Sequence, residues 1–250
     1  MTTEGQNEKT IAFVLYPGLT LLDLVGPLQV LTTLGSIAPE YRTVVVAERL
    51  EPTDTDVPGE MKMLPSNTFG EVPQPFAFVV PGGVMPTMRA MGNEAIRNYV
   101  RSAAETAEVA GSVCTGACIL ASVGLLEGRR ATTHWAFYKV LEQFGATYVR
   151  KRWVEDGKFI SSAGVSAGID MALQFSARLT DEETSREVQY RLGYDPEPPF
   201  GGIDYERIGG QLGAWRAGVS LAAPVLAAKP KRLSKLTGQR PLNFGELSSY

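Results

Sequence analysis

The sequence predicts an α/β fold in which a mostly parallel sheet lies between layers of helices. Three observations carry that prediction. The strand candidates are continuous apolar runs, as expected of strands buried on both faces. Segments of helical composition alternate with them, the pattern of βαβ units. Pro and Gly clusters punctuate the chain where strands should end.

The elements follow in order. Ile11 to Tyr16 is an apolar run stopped by Pro17-Gly18, and it reads as a buried strand. Leu21 to Leu34 has helix-like apolar content and ends at Gly35; Pro27 inside it predicts a late start or a kink. Tyr41 to Ala47 is a second strand, and the Asp-, Thr- and Pro-rich stretch Glu51 to Gly59 is a loop. Phe76 to Val80 is a buried strand stopped by Pro81-Gly82-Gly83. Asn93 to Glu108 is a helix with Ile96, Val100 and Ala103-Ala104 on one stripe. Val109 to Val113 is a strand leading into Cys114, and Thr115 to Leu126 is a small-residue helix closed by Gly128. A short β-like segment, Ala131-Thr132-Thr133, precedes His134-Trp135, and Phe137 to Phe144 is a helix ending at Gly145. Thr147 to Val154 and Lys158 to Ser162 read as a hairpin around Asp156-Gly157. Ser166 to Leu179 and Glu182 to Leu192 are helices, the second capped by Thr180 or Asp181. From Pro196 the pattern breaks, and the rest reads as an arm or tail with one helix around Ala214 to Ala223.

Composition narrows the function classes. A chain of 250 residues with 44% hydrophobic residues can bury a sizeable core without staples. A net charge of -3 with one His gives no basic surface for nucleic acid. Two Cys do not make a disulfide scaffold, and two Cys with one His fall short of a structural zinc site. The polar N-terminus predicts no signal peptide, and no apolar run reaches the roughly 20 residues of a membrane span. The expectation is a soluble cytoplasmic protein without a metal.

In an open α/β sheet, ligands bind beyond the carboxyl ends of the strands. Gly18 to Asp23, Pro81-Gly82-Gly83 and Ser112 to Gly116 lie just past such ends, so they converge if their strands are parallel neighbours. Cys114 sits in a strand-to-helix turn, where backbone N–H groups and the helix dipole stabilise a thiolate. The arrangement mimics a nucleophile elbow with Cys in place of Ser. A buried, inert thiol fits the same spacing. Asp23 is the only charge in Leu21-Leu22-Asp23-Leu24-Val25; it reads either as a buried acid with a raised pKa or as a helix cap. Gly82-Gly83 can aim N–H groups at developing negative charge, or form a plain turn. Thr115 offers a hydroxyl beside the thiol, or a cap. His134 is either a base for Cys114 or part of a packing corner, and Cys118 reads as core.

Together these residues resemble the DJ-1/PfpI superfamily. The resemblance rests on Pro81-Gly82-Gly83, Ser112-Val113-Cys114-Thr115-Gly116 and the run Gly124 to Trp135, and it extends from Ile11 to Phe200. Leu22 to Pro27 and Ala167-Gly168-Ile169-Asp170 are most similar to the isocyanide hydratase branch. The resemblance implies a flavodoxin-like three-layer sandwich, with residues 9–195 as catalytic domain and 196–250 as a C-terminal extension. It implies a homodimer without metal or organic cofactor. Cys114 would attack the carbon of an isocyanide to form a thioimidate that is hydrolysed to an N-formamide. Asp23 would move the protons and position water. Thr115, Gly82, Gly83 and the Gly164-Val165 turn would hold substrate and water. His134 loses weight, because that branch does not lean on a Cys–His–acid triad.

Departures keep other readings open. Glu51 to Gly59 and the tail do not match the pattern, and Cys118 adds a second thiol. Other DJ-1-type activities (glyoxalase, deglycase or amidase) usually use Glu where this chain has Asp23. A ligand- or redox-sensing protein without turnover is the remaining class. AraC-type regulators carry DNA-binding helices after such a domain; the roughly 50 residues here are too few and too broken by Gly and Pro for that pair of motifs.

Overall fold

A computed structural model describes residues 8–57 and 61–204. β1 (Lys9–Val14) enters the core, and its last four residues are buried. α1 (Leu21–Ile37) runs past Gly35, where the sequence predicts its end. Gly35 serves close approach instead: a Cβ there would lie 2.6 Å from the Tyr41 carbonyl oxygen. Pro27 is carried inside α1, and its ring removes the N–H that would bond the carbonyl of Asp23.

β2 (Tyr41–Ala47) pairs parallel with β1. The stretch read as loop contains β3 (Thr53–Asp54), which pairs antiparallel with β4 (Lys62–Met63). β5 (Asn67–Thr68) adds to the edge of β2, and β6 (Ala77–Val80) is wholly buried. Next comes α2 (Met85–Gly92), a helix the sequence reading did not assign, followed by α3 (Glu94–Thr106). Asn93 separates the two, its side chain accepting the Ile96 N–H at 3.1 Å.

β7 (Val109–Val113) leads through Cys114 into α4 (Gly116–Ser122), which is shorter than predicted. Gly124 and Gly128 then turn the chain at φ +86° and +70°. β8 (Arg130–Ala131), a single 3-10 turn (Trp135–Phe137), α5 (Tyr138–Gln143) and β9 (Thr147–Tyr148) follow. β9 pairs with β8, so only β10 (Trp153–Asp156) forms the hairpin with β11 (Phe159–Ser162). α6 (Ala167–Leu179) and α7 (Glu182–Leu192) complete the described helices, and Asp181 caps α7 by accepting the Thr184 N–H at 2.8 Å.

Seven strands form the main sheet in the order β10-β11-β7-β6-β1-β2-β5, parallel except at the β10–β11 hairpin. α1, α6 and α7 pack together as one layer, and α2 to α5 form the other. Between them lies a three-layer, flavodoxin-like core dominated by Phe13, Phe78, Phe137 and Phe175. Residues 193–204 carry no helix or strand, and the helix expected around Ala214 to Ala223 lies outside the described residues. Among the described residues no helix is long and apolar enough to cross a membrane.

Candidate active site

β11, β7, β6 and β1 are consecutive and parallel, so their carboxyl ends open onto one edge of the sheet. The loops past those ends are bonded to one another. The Thr20 N–H donates to the Gly82 carbonyl at 2.9 Å, and the Cys114 N–H to the Ser162 carbonyl at 3.0 Å. Asp23 lies in the first turn of α1 and points inward, with no exposed surface.

Cys114 adopts φ +56°. For a residue with a Cβ this left-handed conformation costs on the order of 1–3 kcal/mol, so the surroundings must impose it. Two features do so. Gly116 lets the turn press against β6: a Cβ there would lie 2.1 Å from the Val80 carbonyl oxygen. On the other side, the Thr133 hydroxyl donates to the Cys114 carbonyl at 2.8 Å. Among the described residues, Val84 is the one other non-glycine at positive φ, +48°, and it also lines this edge.

Asp23 and Cys114 interact directly. Burial pushes the Asp23 carboxyl up to about 7, opposed by the Gly82 N–H, which donates to Oδ2 at 3.0 Å. Oδ1 has no hydrogen-bond partner among the described residues. The Cys114 thiol is also raised, first by burial and then by the Asp23 charge, while the Thr115 N–H lowers it. Of the two readings of this thiol, a thiolate stabilised by its turn and a buried thiol, burial favours the second for its charge state. Near neutral pH the thiol therefore keeps its proton, while the Asp23 carboxyl beside it stands close to its midpoint and can take up or release one.

The other predicted residues divide by where their polar groups point. Gly82 is wedged between the turn and the acid: a Cβ would lie 2.6 Å from the Thr115 nitrogen and 2.8 Å from Asp23 Oδ2. The Gly83 N–H is directed at Thr115 Oγ1 (3.0 Å), as is that of Val84 (3.3 Å). The Gly82, Gly83 and Thr115 polar groups thus build the floor of the site and are engaged within it. Gly164 and Val165 lie past the end of β11, where their carbonyls accept the first N–H groups of α6. Gly168 packs on Val113, which brings that turn beside Cys114. His134 caps the 3-10 turn, its Nδ1 accepting the Ala136 N–H at 3.3 Å, with its ring against Trp135 and Phe137. Burial lowers its pKa and keeps it neutral. Cys118 is fully buried beside Thr133. Among the described residues no group of three or more His, Cys, Asp or Glu side chains could hold a metal ion.

Sequence reasoning missed three hydroxyls here. Tyr16 was read only as the end of a strand and Thr133 as part of a packing corner. Thr87 lies in the unassigned α2, whose start Pro86 marks.

A doubly wound sheet with a strained cysteine after β7 and a buried acid beside it defines a class of proteins, and comparison with known sequences identifies it. Residues 9–178 match the DJ-1/PfpI family, and the chain belongs to that family. Within it, the chain is 39% identical over 192 residues to an isonitrile hydratase from Pseudomonas putida, spanning 76% of this chain and 80% of that protein. It also resembles an HTH-type transcriptional regulator, CdhR, from Pseudomonas aeruginosa, at 34% identity over 46% of this chain and 35% of the regulator. Among solved structures, a ThiJ/PfpI family protein from Pseudomonas syringae superposes with a TM-score of 0.80 at 30% identity, covering 91% of this chain and 97% of that one.

Proposed function

We propose that this protein hydrates an isocyanide (isonitrile) to an N-substituted formamide, with Cys114 as nucleophile and Asp23 as proton carrier. The observation that carries the reading is the buried pair itself: a thiol on a strained turn and, beside it, a carboxyl that burial pushes up to about 7. The similarity to an isonitrile hydratase over most of both chains supports it.

The chemistry follows from that pairing. An isocyanide, R–N≡C, is small and carries its electrophilic carbon at the end, which suits a buried thiol. When the Cys114 sulfur bonds to that carbon, the carbon lone pair takes a proton, giving the thioimidate R–N=CH–S. Asp23, as carboxylate, takes the thiol proton as sulfur attacks and passes it to that carbon. Water then adds to the same carbon, while its proton passes through the Asp23 carboxylate to nitrogen. Collapse of R–NH–CH(OH)–S expels the thiolate and releases R–NH–CHO; the hydroxyl proton returns to the pair. Atoms and charge balance with no cofactor. In this reading Thr115, Gly82, Gly83, Gly164 and Val165 hold the substrate and water. The reading includes a homodimer, which light scattering in solution tests.

The experiment is incubation with an alkyl isocyanide while formamide is measured. Formamide should form with the native chain and not with Cys114→Ala. No turnover by the native chain against a panel of isocyanides, or full turnover by Cys114→Ala, overturns the proposal. The partial likeness to a regulator favours a second reading, a ligand-sensing domain; tight isocyanide binding without formamide is its signature.

A further inference from the structure

Behind the thiol and carboxyl, Thr115 is joined to two hydroxyls that the reaction above does not use, those of Thr87 and Tyr16. The Tyr16 hydroxyl donates to the Pro81 carbonyl at 2.8 Å and lies 3.0 Å from Thr87 Oγ1. Thr87 Oγ1 lies 2.7 Å from Thr115 Oγ1. Thr115 Oγ1 accepts the N–H groups of Gly83 and Val84. All three side chains are buried.

Proton counting fixes the direction of every bond. Each hydroxyl has one hydrogen. Burial keeps the Tyr16 phenol protonated, and a carbonyl only accepts, so the Tyr16 hydrogen is spent on Pro81. Thr87 must then donate to Tyr16, and Thr115 must donate to Thr87. The circuit starts at the N–H groups of Gly83 and Val84, crosses hydroxyls on three separate elements, and returns to the carbonyl of Pro81. It begins and ends in one four-residue loop. Gly82, between the two anchors, aims its N–H at Asp23. Val84, held at φ +48°, is a β-branched residue in a conformation it would leave if released.

We propose that Thr87 and Tyr16 are positioning residues: with Thr115 they form a one-way hydroxyl circuit that clamps the 81–84 loop at both ends and holds the Gly82 N–H on Asp23. The inference rests on the reading of Cys114 and Asp23 as the reacting pair. Neither Thr87 nor Tyr16 touches the reacting atoms. Without Thr87, Thr115 loses its acceptor, turns its hydrogen toward the loop and repels one of the two N–H groups it now accepts. The loop relaxes, and the N–H that favours the Asp23 carboxylate moves off it.

The groups that act on Asp23 leave few other routes to such an effect. They are Cys114, in the turn after β7, and Asp56, in the loop after β3; the carboxyl in turn acts on Tyr16. α2 contributes Arg89, which lies near Gly18, and α6 contributes Asp170, which is paired with Arg152. Thr87→Val and Tyr16→Phe alter none of these charges at neutral pH.

The test compares the native chain with Thr87→Val, Thr87→Ser and Tyr16→Phe by two readouts. One is the Asp23 titration, followed as the infrared carboxylate band in difference spectra against Asp23→Asn. It needs no substrate, so it stands even if isocyanide turnover is absent. The other is the split between kcat and KM for an alkyl isocyanide. Thr87→Val should move the Asp23 midpoint upward by about half a pH unit or more, as expected for a weakened hydrogen bond to a carboxylate. It should lower kcat by about tenfold with KM within about threefold, the pattern of a misplaced catalytic group. Thr87→Ser should restore both, and Tyr16→Phe should fall between, because it removes the Pro81 anchor and the acceptor of Thr87 but leaves the Thr87–Thr115 bond in place. A folded Thr87→Val protein with the native midpoint overturns the proposal, as does a Ser variant no better than Val. If Thr87→Val does not fold, Tyr16→Phe carries the test, and a native midpoint in that variant overturns it.

Discussion

Cys114 and Cys118 stand one helical turn apart, and both are buried thiols. Burial pushes Cys118 up to about 12 and raises Cys114 as well. Burial and sulfur chemistry therefore do not distinguish them. What differs is the company each keeps. Cys114 has a strained backbone, the Thr115 N–H and the Asp23 carboxyl beside it. Cys118 has apolar neighbours and the Thr133 hydroxyl at 3.8 Å. Thr133 spends its one hydrogen on the Cys114 carbonyl, so Cys118 donates to Thr133 and props the turn from behind. The proposed difference in reactivity between the two thiols therefore rests on the acid beside Cys114.

The sharpest way to break the comparison is to remove each sulfur in turn. Cys114→Ala should lower formamide production by at least ~10³-fold, since no other group can carry the covalent step. Cys118→Ala should stay within about threefold of the native rate and lose ~1 kcal/mol of stability from the small cavity left. Equal losses in steady-state assays would erase the distinction.

Removing the acid should cost less than removing the sulfur. Asp23→Asn is expected to lower kcat by about 10²-fold and to abolish the limb of the pH–rate profile centred near 7. The same substitution separates activity from stability. A carboxyl that titrates near 7 in the fold but near 3.8 when unfolded holds its proton in the folded state across that interval. Folding then binds protons, so stability falls as pH rises from about 4 to about 7. At about pH 8 the deficit is on the order of 4 kcal/mol, and Asp23→Asn should melt above the native chain there. The gap should close toward about pH 4. Thermal melts at the two pH values check the sign, and an Asn variant that is less stable at both contradicts it.

Two glycines test how the turn is held. Gly116→Ala drives a Cβ into the β6 backbone and should destabilise the fold by more than ~2 kcal/mol, with loss of activity. Gly124→Ala meets open space but sits at φ +86°, so about 1 kcal/mol and near-native turnover are expected. Thr133→Val should fall between the two glycines. Losing the bond to the Cys114 carbonyl should cost ~1 kcal/mol and a few-fold in kcat. Denaturant melts and initial rates measure all three.

Much of this site was legible in the sequence because it follows from topology. Apolar runs gave the buried strands, and parallel pairing of β1, β6 and β7 brought Asp23, Gly82 and Cys114 to one edge. Local chemistry was legible only where it is local. Asp181 caps α7 as read, whereas Gly35 was taken for a helix stop when its role is to let β2 approach. Thr115 was read as a hydroxyl for substrate. Its partner Thr87 and, through Thr87, Tyr16 lie 28 and 99 residues earlier in the chain, and no spacing rule joins them. The thiol was expected to be lowered by its turn, but the depth of burial that overrides the turn is a property of the folded layers.

The central claim is that the covalent step happens at Cys114 because Asp23 lies against it. Peptide-resolved mass spectrometry after rapid acid quench with an isocyanide tests it most directly. The predicted result is a thioimidate adduct on Cys114 and none on Cys118, with the adduct's formation slowed in Asp23→Asn. Formamide production with no adduct on Cys114, or an adduct that forms on Cys118 instead, would contradict the account.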